Sequence, residues 1–168
     1  DIFVVPEKPE EQAKFMGFSN GGGIRIRDLS NPEKKMSKST AGENSKIMLL
    51  DDPAKAAKKI MSATTDSLAS IKYDMMNQPG ISNLLQIEAL VNDIPLQDVI
   101  STWAGESHYG DLKKKVAESV STFLANFQAD FNAIPDEMVY ELLEVGETYA
   151  NDVADAKLLE LQKAFKLR

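Results

Sequence analysis

The chain of 168 residues contains no cysteine and one histidine. Disulfides and thiolate metal sites are therefore excluded, and a reducing compartment, the cytoplasm, is the expected setting. No apolar run approaches the roughly 20 residues that cross a bilayer as a helix, so no membrane is expected among its partners. No signal-peptide layout is present in these residues. Basic side chains are also short: 19 Lys and Arg stand against 26 Asp and Glu, for a net charge of −7. That balance argues against a nucleic-acid footprint spread over the whole chain. The deficit is uneven, because residues 1–60 carry 11 basic against 9 acidic side chains and residues 61–168 carry 8 against 17. Positive potential is thus gathered near one stretch.

That stretch is Lys35-Met36-Ser37-Lys38-Ser39, entered through Asp28-Leu29-Ser30-Asn31-Pro32 and left through Thr40-Ala41-Gly42. It shows no helical or strand period and is flanked by turn residues. Such a loop can aim ammonium groups, hydroxyls and backbone N–H groups at a polyphosphate. A full match to this pentapeptide arises by chance in about one chain of this length in 10⁴.

Before it, Ile2-Phe3-Val4-Val5 reads as the end of a buried strand, so the chain reads as part of a longer protein that begins before Asp1. Residues 7–18 read as a loop or an irregular turn. Gly21-Gly22-Gly23 lacks the spacing of a phosphate-binding glycine loop and reads as a connector. Ile24 to Leu29 alternates with period two, which predicts a strand with one wet side. A strand feeding a phosphate-handling loop is the arrangement of open α/β sheets.

After the loop, Ile47-Met48-Leu49-Leu50 is expected to be a short buried run. Asp51-Asp52-Pro53 starts a helix over 53–63, with Lys55, Lys58 and Lys59 exposed. From about residue 70 the period is helical. Pro79 opens one helix and Pro95 a shorter one. Gly110 precedes a long helix with the face Leu112, Val116, Val120, Phe123, Phe127 and Phe131. Pro135-Asp136-Glu137 starts the last, with acids against the macrodipole and the stripe Met138, Leu142, Val145, Tyr149 and Val153. Both stripes are expected to be core.

Lys-Met-Ser-Lys-Ser is the second signature of the class I aminoacyl-tRNA synthetases, which this chain resembles. Lys58-Lys59-Ile60, Ala63-Thr64-Thr65-Asp66, Tyr73-Asp74 and Pro79-Gly80-Ile81-Ser82-Asn83-Leu84-Leu85 follow in order. This series is similar to the bacterial tryptophanyl-tRNA synthetases. The resemblance covers nearly the whole chain, most specifically residues 31–85. It departs at Thr40, where relatives often place Asp, and the first class signature is absent, since His108 in Ser107-His108-Tyr109-Gly110 cannot supply it.

The implied fold is mainly α. Residues 1–50 would be the C-terminal edge of a Rossmann-like α/β catalytic domain carrying the loop. Residues 51–74 would connect it to an α-helical bundle of anticodon-binding type at 75–168. The implied chemistry joins the tryptophan carboxylate to the α-phosphate of ATP and then passes tryptophan to tRNA(Trp). By resemblance Lys38 meets the pyrophosphate, Lys35 assists or holds the loop, and Ser37 and Ser39 give hydroxyl and backbone donors. Met36 packs inward, and Ile26 lies against the adenine. Mg²⁺ would travel with ATP, no metal being held by the protein itself. Lys113, Lys114 and Lys115 are candidates for tRNA phosphates, while His108 reads as a helix-entry residue. The implied whole protein is a homodimer whose amino-acid pocket lies mostly outside these residues, so this chain alone is expected to be inactive. Two other readings stay open: a non-catalytic helical RNA-binding module, and the same region of another class I synthetase.

Overall fold

The computed structural model describes residue 8, residues 25–39 and residues 42–167. Among the described residues every regular element is a helix: α1 Pro53–Met61, α2 Pro79–Val91, α3 Leu96–Trp103, α4 Tyr109–Ala133 and α5 Asp136–Ala164. One 3-10 turn, Glu43–Ser45, precedes them. The mainly-α expectation is met to that extent. The expected strand at 2–5, the glycine connector at 21–23 and, Lys8 apart, the loop at 7–18 lie outside the described residues. The chain divides into two compact units, Ile24–Asp130 and a second formed by Asp1–Gly23 with Phe131–Arg168.

The helix starts follow local chemistry. Asp52 accepts the Lys55 N–H at 2.9 Å and Pro53 holds the first helical position, where it forfeits no bond. Pro79 opens α2 in the same way. Every residue of α2 from Gly80 to Ala89 is buried, so α2 is the central element of its unit. Ile81, Leu84 and Leu85 pack there with Ile60 of α1, Val99 of α3, and Leu112 and Val116 of α4. Leu29, from the segment leading into the signature loop, is buried in the same core. Gly80 is obligatory by contact: a Cβ there would lie 2.2 Å from the Thr64 carbonyl oxygen, which is backbone and cannot swing aside.

Four sequence expectations are corrected. Residues 24–29 form no strand among the described residues; only Arg27 makes an antiparallel bridge, to Lys35. The Asp28 carboxylate turns the chain at once by accepting the Ser30 and Asn31 N–H groups at 2.8 and 3.0 Å. In the run 47–50, Leu49 and Leu50 are exposed, because Asp51 closes a turn by accepting the Met48 N–H at 3.1 Å. Lys59 is not on a wet face: its Nζ lies 2.6 Å from Asp51 Oδ2 and 3.0 Å from the Lys46 carbonyl oxygen.

The fourth correction concerns the long helices. On α4 the buried face runs Leu112, Val116, Val120 and Leu124 at regular steps of four, leaving Phe123 and Phe131 exposed at its edge. Phe123 stacks on Phe127 with ring centroids 6.4 Å apart. The stripe of α5 is exposed along its whole length, with Met138, Leu142, Val145, Tyr149 and Val153 all facing water. Amphipathic spacing marks a face able to be buried, and among the described residues of that unit nothing covers it.

Candidate functional site

The signature segment is held by a short hairpin. Asp28 donates its N–H to the Lys34 carbonyl at 2.9 Å, and Met36 donates to the Ile26 carbonyl at 2.9 Å. Between these arms, Asn31-Pro32-Glu33-Lys34 forms a β-turn closed by the Lys34 N–H on the Asn31 carbonyl at 3.0 Å, with Pro32 at the position its fixed φ favours. Arg27 Nη1 braces the turn by donating to the Glu33 carbonyl at 3.0 Å. The far sides are tied to the core: Leu29 N–H reaches the Ser45 carbonyl at 2.9 Å, and Thr64 N–H reaches the Leu29 carbonyl at 2.7 Å. Thr64 Oγ1 adds a bond to the Ser30 carbonyl at 2.9 Å.

A cavity of about 600 Å³ lies on this hairpin, lined by Arg25, Ile26, Lys35, Met36, Lys38, Lys46, Ile47 and Met48. Its lining combines four cationic side chains with four apolar ones. Such a lining suits an anionic ligand that also carries apolar surface. Ile26, Met36 and Ile47 are partly buried and pack on the core, so the inward placement read for Met36 agrees with the structure. Ser37 and Ser39 bring their hydroxyl oxygens within 3.2 Å of one another.

The structure thus brings together Ile26, Lys35, Met36 and Lys38, with Ser37 and Ser39 beside them. It adds Arg25, Lys46, Ile47 and Met48, which the sequence reading left out. Lys46 Nζ donates to the Lys38 carbonyl at 2.8 Å, and the Lys46 carbonyl receives Lys59 Nζ. A chain of contacts therefore runs from α1 through Lys46 to the signature loop. Its only sequence signal is the density of lysines between residues 34 and 59. Burial pushes the Asp51 carboxyl up, but bonds from Lys59 and the Met48 N–H, with the Lys59 and Lys55 charges, outweigh it and hold the group below its ordinary value. Lys59 and Asp51 thus form a charged brace at the edge of the site.

The lysine triplet on α4 is split. Lys113 is half-buried and donates its Nζ to the Ala63 carbonyl at 2.8 Å; burial lowers its pKa. Lys115 Nζ lies 3.9 Å from Glu88 Oε1. Lys114 is exposed. His108 sits at the helix entry, exposed, its carbonyl accepting the Asp111 N–H at 3.1 Å. Beside it a second cavity of about 410 Å³ is lined by Asp66, Ser67, Ala69 and residues 107–111.

The chain matches the family described as tRNA synthetases class I (W and Y) over residues 13–125. It is 41% identical to a tryptophan–tRNA ligase of Caldanaerobacter subterraneus subsp. tengcongensis over 99% of this chain and 48% of that protein. It is 39% identical to a tryptophan–tRNA ligase of Mycobacterium leprae over 92% of this chain and 43% of that one. The crystal structure of tryptophanyl-tRNA synthetase from Mycoplasma pneumoniae superposes with a TM-score of 0.75 at 33% identity, over 86% of this chain and 44% of that one. The chain spans about half the length of the curated relatives it matches. With the signature loop and the family match over residues 13–125, the chain belongs to the class I tRNA synthetases of the tryptophan and tyrosine group.

Proposed function

We propose that this chain is the C-terminal part of a tryptophan–tRNA ligase, a cytoplasmic enzyme that activates tryptophan with ATP and transfers it to tRNA(Trp). The observation that carries this is the cavity lined by Arg25, Lys35, Lys38 and Lys46 together with Ile26, Met36, Ile47 and Met48, built on the signature loop of a chain 41% identical to such a ligase. In this reading residues 1–50 are the loop-bearing edge of a Rossmann-like catalytic domain and residues 51–74 a connection. Residues 75–168 are then the helical tRNA-binding domain.

Attack of the tryptophan carboxylate on the α-phosphate drives negative charge onto the departing β- and γ-oxygens. Fixed cations at those oxygens stabilise the transition state more than the ground state. Lys38 takes the pyrophosphate, Lys35 assists it, and the Ser37 and Ser39 hydroxyls supply donors. Ile26 lies against the adenine, and Met36 packs inward beneath the loop. Mg²⁺ arrives on the phosphates as part of the substrate. On α4, Lys114 is the triplet member best placed for a tRNA phosphate, with Lys115 beside it and Lys113 occupied by the Ala63 carbonyl. The whole enzyme is read as a homodimer, and this chain alone as unable to activate tryptophan.

The test is tryptophan-dependent ATP–pyrophosphate exchange by the whole protein and its Lys38→Ala variant. The expected loss is about 10²–10³-fold, the scale of removing one donor to a developing anion. Exchange indifferent to Lys38, or exchange with another amino acid only, would overturn the proposal. Exchange by residues 1–168 alone would refute the inactivity of the part.

A further inference from the structure

The bridge between Arg27 and Lys35 is an antiparallel pair whose two hydrogen bonds belong to the neighbours, Ile26 with Met36 and Asp28 with Lys34. The N–H and C=O of Arg27 itself therefore point away from the hairpin. In a sheet a second strand would meet them. Here one side chain does: Asn83 Oδ1 accepts the Arg27 N–H at 2.7 Å, and Asn83 Nδ2 donates to the Arg27 carbonyl at 3.0 Å. The two bonds fix which end of the carboxamide is which. Asn83 is 2% exposed, lies one turn into α2, and does not line the cavity.

We infer that Asn83 is a positioning residue for the signature loop: its carboxamide stands in for a missing strand and sets the hairpin that presents Lys35 and Lys38. Ile26, next to the gripped residue, and Met36, whose N–H bonds the Ile26 carbonyl, both line the cavity. The hold is reinforced at the start of α2, where Gly80 lets the helix close onto the Thr64 carbonyl. Thr64 in turn holds Leu29 and Ser30. The loop thus takes its position from α2, and a movement of α2 carries the hairpin with it. The link to ATP chemistry rests on the function proposed above; the grip itself rests on geometry alone.

Amide hydrogen exchange on the whole protein, with Mg·ATP as the probe, separates the two. In Asn83→Ala, amides of residues 26–36 are expected to exchange at least tenfold faster while those of α1, α3 and α4 keep their rates. In the wild type, Mg·ATP is expected to slow exchange across residues 34–39, and Asn83→Ala is expected to need at least tenfold more of it for the same effect. In the whole protein the KM for ATP rises with the KM for tryptophan unchanged. Should the alanine variant not fold, Asn83→Asp, which keeps the acceptor for the Arg27 N–H, serves in its place. Unchanged exchange at 26–36, or acceleration shared evenly by all helices, overturns the positioning role. Loosening of 26–36 in the variant with no Mg·ATP protection in the wild type leaves the grip standing and defeats the ATP reading.

Discussion

Tyr109 donates its phenolic proton to Asp66 Oδ1 at 2.6 Å, and Gln78 Nε2 donates both to the Tyr109 oxygen at 2.9 Å and to the Ser70 carbonyl at 2.6 Å. The first residue of α4 is thereby joined to the segment before α2 through one buried glutamine. Burial pushes the Asp66 carboxyl up, but the Tyr109, Leu68 and Gln78 bonds outweigh it and leave the group below its ordinary value. A carboxyl whose folded-state pKa is depressed contributes stability that is present above its unfolded value of 3.8 and is lost as pH falls through the folded value. Tyr109→Phe removes the strongest donor and is expected to cost about 1.5–3 kcal/mol at neutral pH. The difference from the wild type should narrow below pH 3.8. Urea unfolding followed by the emission of Trp103, the single tryptophan, measures both arms.

Glu88 shows the opposite sign. It is buried in α2, Oε1 accepts the Ser119 hydroxyl at 3.1 Å, and Oε2 has no partner. Burial raises its pKa above 4.5, and Ser119 and the Lys115 charge only partly oppose this. A raised carboxyl penalises the folded state once pH exceeds the unfolded value. Glu88→Gln is therefore expected to raise Tm at pH 7, by about 2–4 °C for each kcal/mol relieved. Its advantage should fade as the wild type protonates toward pH 4.5. Thermal melts at several pH values decide this, and a fixed difference at all pH values would contradict it.

The glycines separate by contact. Gly80→Ala would place a methyl 2.2 Å from the Thr64 carbonyl oxygen and force α2 off its seat, at about 1–3 kcal/mol or more. Gly146 lies inside α5 with nothing within 4 Å of an added Cβ. Gly146→Ala is expected to stabilise that helix by about 0.5–1 kcal/mol. The two variants should move the denaturation midpoint in opposite directions.

Lys46→Ala tests a residue that only the structure brought to the site. It removes a cavity cation and the bond to the Lys38 carbonyl. In the whole protein the expected effect is a loss of pyrophosphate exchange of about tenfold, smaller than for Lys38→Ala, because the bond at stake holds the loop and does not meet the developing charge. Steady-state kinetics of the two variants side by side would show it.

The sequence announced its helices well because their starts are chemical: Asp52 caps the first turn that Pro53 begins, and Pro79, Pro95 and Pro135 each stand at or just before a first helical position, where proline's missing N–H costs no bond. It also announced the loop, since a pentapeptide of lysines and serines has no periodic competitor. It failed where a side chain acts across the fold. Lys59 looks like any surface lysine until Asp51 and the Lys46 carbonyl lie within 3.0 Å of it. Lys113 looks equivalent to Lys114 until the Ala63 carbonyl is seen. Residues 24–29 alternate as a strand does, but alternation cannot tell whether the facing partner is a backbone or the amide of Asn83. The α5 stripe was legible as a face, whereas its exposure was not.

Capping by Asn83 has a consequence for how the molecule behaves in a crowded solution. An extended segment with a bare N–H and C=O is a template on which a foreign chain can lay a strand, the first step toward edge-to-edge association. At Arg27 both groups are already occupied by a side chain sunk into the core, so no incoming peptide can register there without first evicting it. The hairpin is in this way closed, at that point, to polypeptide, while the cavity lined by Lys35, Lys38 and Lys46 stays uncovered.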